Sequence, residues 1–180
     1  MLNADLVRDP EWKQLVRIAA DCRPPDNAAM TDVGTDPGAR RASVRARLAA
    51  VPDKLAHAAR SAAPLAPAPG EWTPSEVVRH LIAVEELVWH VRLRQLDTEE
   101  HPHWAWVEPG QWLGAPGADL DDVLAAHAAA RAATLAMLDA LGADGWARTG
   151  VHDTFGTLDV AGLMERALDH DAEHIASLRR

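Results

Sequence analysis

Residues 72–81 read Trp72-Thr73-Pro74-Ser75-Glu76-Val77-Val78-Arg79-His80-Leu81 and carry the clearest helix start in the chain. Thr73 suits a helix N-cap, Pro74 fits the first turn where its missing N–H costs nothing, and Glu76 closes a capping box. Trp72 and Val77 complete the start as a hydrophobic staple. Val77, Leu81, Val84, Val88 and Val91 then recur at helical spacing, with no proline or glycine before Pro102. The spacing predicts a helix from about Pro74 to Leu96 whose apolar stripe must be covered by other helices.

Three such partners can be read on either side. Upstream, Val44, Leu48, Val51, Leu55 and Ala59 mark a helix in which Pro52 predicts a kink or a frayed start. Downstream, Asp119 caps a helix with Asp122 in the capping-box acid position, and Leu124, Leu135, Leu138 and Leu141 follow before Gly142 stops it. The last helix follows Gly156-Thr157 and carries Val160, Leu163, Ala167, His170, His174 and Leu178 along one seam. An all-α four-helix bundle is predicted over residues 39–180.

Residues 64–70 form a stiff Pro-rich link, and residues 97–118 a long connection rich in Pro, Gly and Trp. The long one can extend to about 70 Å, ample to run back along a helix of about 35 Å and so join two parallel helices. The topology expected is therefore up-down-down-up, with the long crossover between helices two and three. Residues 1–38 read as a short extension: a helix opened by Asp9-Pro10-Glu11 with Trp12, Leu15 and Val16, then a polar, Pro-rich loop. Trp104, Trp106 and Trp112 in the crossover either form an apolar patch for a homodimer or cover the bundle.

The formal net charge of −9 repels a phosphate backbone, so nucleic acid is not an expected partner. Arg40, Arg41, Arg45 and Arg47 read as a solvated helix face. No apolar run approaches the roughly 20 residues of a membrane span and the first residues lack a signal-peptide pattern, so a cytoplasmic protein without a membrane partner is expected. The single cysteine, Cys22, rules out a thiolate-dominated metal site, leaving histidines and carboxylates as ligands.

Of nine histidines, His170 and His174 stand one turn apart on the inward seam of the last helix, able to converge on one ion. His80, between Val77 and Val84, is the natural third donor. It lies about 9 Å from the start of its helix, while His174 and His170 lie about 9 and 15 Å from the chain end. Antiparallel packing of these two helices brings all three to one level, and the up-down-down-up order makes them antiparallel. Three neutral imidazoles suit Zn²⁺, Ni²⁺ or Fe²⁺ and leave positions for water or substrate. The alternative is a set of core histidines bonded to one another or to water.

His170-Asp171-Ala172-Glu173-His174 also spells the inverted zinc-protease pattern H-x-x-E-H, but only six residues follow His174, leaving no later helix for a third ligand. Glu173 reads instead as a flanking surface acid or as a group that supports a metal ligand. His127 and Arg131 fall on the seam of the third helix, as groups lining a substrate cavity or as polar side chains at the bundle edge. Glu76 is explained by its cap, and His101 and His103 by an exposed turn around Pro102. His57 and His90 have no evident partner.

With these residues in hand, the chain from about Arg41 to Arg180 resembles the DinB/YfiT-like superfamily. The resemblance rests on Gly70-Glu71-Trp72-Thr73-Pro74-Ser75-Glu76-Val77-Val78-Arg79-His80-Leu81, on Thr149-Gly150-Val151-His152-Asp153-Thr154-Phe155-Gly156-Thr157-Leu158, and on His170-Asp171-Ala172-Glu173-His174-Ile175. It implies that His80, His170 and His174 bind a divalent metal. It also implies a metal-dependent hydrolase, or a transferase using a low-molecular-weight thiol such as bacillithiol or mycothiol on a small molecule. A non-catalytic metal- or ligand-binding bundle is the alternative. Dimers are frequent among such proteins. Ser177 stands where members commonly have Gln, and Asp153 where many have Pro; His152 reads as a structural element of the loop before the last helix.

Overall fold

The computed structural model describes residues 36–179, so the expected helix and loop within residues 1–35 lie outside the described residues. The first bundle helix is two segments, α1 (Pro37–Ala49) and α2 (Val51–Ala62), broken at Ala50. Pro52 sits in the first turn of α2, where no intrahelical N–H is needed, so the break falls before it. Val44, Leu48, Val51, Leu55 and Ala59 are all buried, as the spacing predicts. Asp36 caps α1 by accepting from Gly38 N at 3.0 Å, so Pro37 and Gly38 form its first turn.

The second helix comprises α3 (Pro74–Val84), a π-helical turn (Glu85–Trp89) and α4 (His90–Thr98). Its capping box is complete: Glu76 N donates to Thr73 Oγ1 at 3.3 Å, and Thr73 N to Glu76 Oε2 at 2.7 Å. The π turn corrects the expected seam. A wider turn rotates everything after it, so Val77, Leu81, Val84 and Val88 are buried while Val91 is 37% exposed and Leu93 and Leu96 take over the core face.

The third helix, α5 (Leu120–Ala140), opens where Asp119 accepts from Asp122 N at 3.0 Å. It ends at Gly142, whose φ of 61° only glycine adopts freely, followed by the single turn α6 (Gly142–Trp146). The fourth, α7 (Val160–Ser177), is capped by Asp159, which accepts from Gly162 N at 2.6 Å.

Ion pairs and ring contacts give the direction of each helix. Arg45 meets Asp139 at 2.6 Å and Arg60 meets Asp121 at 2.9 Å, so the first and third helices are antiparallel. Glu85 meets Arg131 and His90 meets Thr134, so the second and third run parallel. Trp72 lies beside His174 and Trp89 beside His170, which makes the second and fourth antiparallel. Arg40 reaches Asp159 and Glu165 at the start of α7, so the first and fourth are parallel. The order is up-down-down-up, with residues 99–119 as the long crossover.

A small sheet is an element the helical reading left out. β1 (His103–Trp104) in the crossover pairs in parallel with β2 (Thr149–His152), which pairs antiparallel with β3 (Gly156–Asp159). The sheet ties the crossover to the start of α7. Trp104 is 4% exposed and packs flat on Gly150, where a Cβ would stand 2.4 Å from its Cη2. Trp112 is packed against the core as well, so two of the three crossover tryptophans cover the bundle, while Trp106 is 54% exposed.

Candidate metal centre

The capped start of α3 and the C-terminal half of α7 bring His80, His170 and His174 together, each offering a ring nitrogen within 4.8 Å of the other two. His80 Nε2 and His170 Nε2 are 3.4 Å apart, close to the roughly 3.3 Å between donors about 2.0–2.1 Å from a tetrahedral ion. His80 is 1% exposed, and its Nδ1–H donates to Pro109 O at 3.0 Å. That bond fixes the tautomer and leaves the Nε2 lone pair facing the other rings. Burial, then the neighbouring His170 and His80, hold His174 down at about 3, so its imidazole is neutral and free to donate a lone pair. This donor set fits a divalent transition metal.

The crossover lies over this cluster as a strap. Arg79 Nη1 donates to the carbonyls of Trp112 and Gly114 at 3.2 and 2.8 Å, and Nη2 to Ala115 at 3.0 Å. Trp112 N donates back to Arg79 O at 2.9 Å. The segment so held places Glu108 Oε1 3.1 Å from His80 Nε2 and 3.9 Å from His170 Nε2. Trp72, 42% exposed, forms the neighbouring wall, its ring centre 5.0 Å from that of His80 and its plane nearly parallel to the His174 ring stacked on it. Sequence reading passed over both Glu108 and Pro109, because loop residues carry no periodicity.

Behind the histidines lies a buried polar network. Arg131 Nη2 pairs with Glu85 at 2.9 Å and Asp171 at 2.7 Å, all three nearly inaccessible. Thr134 donates to Glu85 and accepts from His90 Nε2 at 2.9 Å. Burial pushes Glu85 up to about 7 and Asp171 adds to it, while Arg131 opposes the rise; burial also raises Asp171. Arg131, expected at a cavity wall or the bundle edge, lies in the interior, its guanidinium shared between two core carboxylates. His127 is likewise interior, 1% exposed and held neutral at about 3 by burial, with Arg131 adding.

The remaining histidines stand apart from the cluster. His152 is 2% exposed and accepts from Thr154 N at 3.0 Å, closing the hairpin. Asp153 N donates to Trp104 O at 3.0 Å, a bond a proline could not make. His103 pairs with Asp153 at the surface, His101 bonds Thr149, and His57 is exposed. Glu173 is exposed, which removes it as an inward base, and Ser177 donates to His174 O without reaching the rings.

A family model described as the DinB superfamily matches residues 38–178. Among solved structures, that of YfiT from Bacillus subtilis, described as a probable metal-dependent hydrolase with an unusual four-helix bundle topology, aligns with a TM-score of 0.62 at 22% identity. The alignment covers 82% of this chain and 87% of that one, and shows the shared fold. No curated protein matches the sequence.

Proposed function

From the premise that this chain belongs to the DinB superfamily, we propose that it holds one divalent transition metal at His80, His170 and His174 and uses it on a small molecule. The observation that carries the reading is the convergence of three imidazoles whose Nε2 atoms include a pair at ligand spacing, 3.4 Å, with His80 pre-set by Pro109. Zn²⁺, Ni²⁺ and Fe²⁺ all suit this donor set. An ion held there supplies Lewis acidity, which makes water or a thiol nucleophilic near neutral pH or polarises a carbonyl. The reaction is hydrolysis or transfer to a low-molecular-weight thiol such as bacillithiol or mycothiol, and YfiT's description as a probable metal-dependent hydrolase supports the metal-dependent part.

The chain's own residues provide the rest. Arg79 holds the strap, Pro109 orients His80, and Trp72 offers an apolar wall for a small substrate. We also take the protein to be soluble and cytoplasmic. α5 is long and apolar enough to cross a membrane, but His127, Arg131 and Thr134 in its middle are buried, as in a bundle's core helix.

A non-catalytic metal-binding bundle is the second reading, favoured by the carboxylate of Glu108 beside the histidines. Reconstituted protein offered activated esters and amides, and thiol-reactive electrophiles with and without a low-molecular-weight thiol, separates the readings. Turnover abolished by chelation and by H80A/H170A/H174A is expected, its thiol requirement telling transferase from hydrolase. Metal-loaded protein inert to both panels would favour the second reading.

A further inference from the structure

His80 commits its Nδ1–H to Pro109, so in its neutral form it presents a lone pair at Nε2. The atoms facing that lone pair are Glu108 Oε1 at 3.1 Å and His170 Nε2 at 3.4 Å. A carboxylate oxygen and a bare imine nitrogen repel at that distance, and a cation between them turns the contact attractive. One proton serves a single pair of these atoms. A divalent ion serves the whole set.

Resting on the histidine centre proposed above, we propose that Glu108 is a fourth, displaceable ligand that closes the metal site until an anionic donor of the substrate, a thiolate or carboxylate, takes its place. The side chains differ in how firmly they are held. His80 is 1% exposed and rooted in a capped helix, whereas the Glu108 side chain is 50% exposed and comes from the strap. The strap's backbone is anchored separately, through Arg79 to residues 112, 114 and 115. Glu108 can therefore swing out by side-chain rotation while Pro109 keeps its bond to His80. One anionic donor leaves as another arrives, so ligand count and oxidation state are unchanged.

The test uses the full chain loaded with Co²⁺, comparing the wild type, Glu108→Ala and the variant lacking all three histidines. Co²⁺ affinity by chelator competition, the visible spectrum, and azide binding are read together, with the melting temperature of the metal-free chains as the folding control. The wild type is expected to take up one Co²⁺. Glu108→Ala should take up one as well, at least about tenfold more weakly, with an altered spectrum and with azide binding at lower concentration because no carboxylate has to leave. Affinity, spectrum and azide titration all unchanged by Glu108→Ala would overturn the assignment while leaving the histidine centre standing. No Co²⁺ uptake by the wild type, or uptake that survives loss of the three histidines, would overturn the centre itself and Glu108's role with it.

Discussion

The Nδ1–H of His80 donates to the carbonyl of Pro109 at 3.0 Å, so the crossover between the second and third helices sets the orientation of a histidine on the second. The connection that makes an up-down-down-up bundle possible also shapes its candidate site. Arg79, next to His80 in the chain, holds residues 112–115 of the connection down.

Arg79→Met removes three donated hydrogen bonds to the strap and loosens Pro109 and Glu108 together. Metal affinity is expected to fall about 10-fold or more, measured by chelator competition. Its melting temperature should change little, because Arg79 is only part-buried.

Arg131→Met leaves Glu85 and Asp171 buried without their cation, a loss of about 3–5 kcal/mol. Urea unfolding of the metal-free chain measures it. Adding Glu85→Gln and Asp171→Asn should recover a large part, because the cost lies in the stranded charges. An Arg131→Met chain as stable as the wild type would contradict the buried network.

The pH dependence follows from His127, held at about 3 in the folded chain against an ordinary value near 6.5. Between those values the unfolded chain binds a proton that the folded chain refuses. Stability contributed by neutral His127 is thus present above about pH 6.5 and is lost as pH falls toward 3. His127→Leu should flatten the loss by up to one proton, about 1.4 kcal/mol per pH unit, in denaturant titrations of metal-free protein. Glu85, raised to about 7, acts oppositely by losing its contribution as pH rises through 7, but it is common to both chains and cancels.

Gly150→Ala would drive a Cβ to 2.4 Å from the ring of Trp104, which is buried in the core. A destabilisation of about 1–3 kcal/mol is expected from thermal or denaturant unfolding. A neutral substitution would mean that Trp104 packs elsewhere.

The helices were legible because each carries its own start signal and a seam of one period. Thr73 and Glu76, Asp119, and the turn at Gly142 act within a few residues, and so appear in the sequence. Three histidines on two seams were legible for the same reason. The π turn at Glu85–Trp89 was not, since it reflects packing that no local residue announces; it moved Val91 out of the core and Leu93 in. The sheet was missed because β1 is two residues long and its partner is remote in the chain. Glu85 and Asp171 did leave a signal: each falls four residues after a core position, Leu81 and Ala167, and an arginine lies on the seam of another helix. A carboxylate on an apolar stripe should prompt a search for its cation.

His80, His170 and His174 are proposed to hold one divalent metal. Elemental analysis of untagged protein, beside a folded variant with all three changed to alanine, tests it most directly. About one equivalent of Zn, Ni or Fe is expected in the wild type and none in the variant. A wild-type chain that holds no metal even after reconstitution would contradict it.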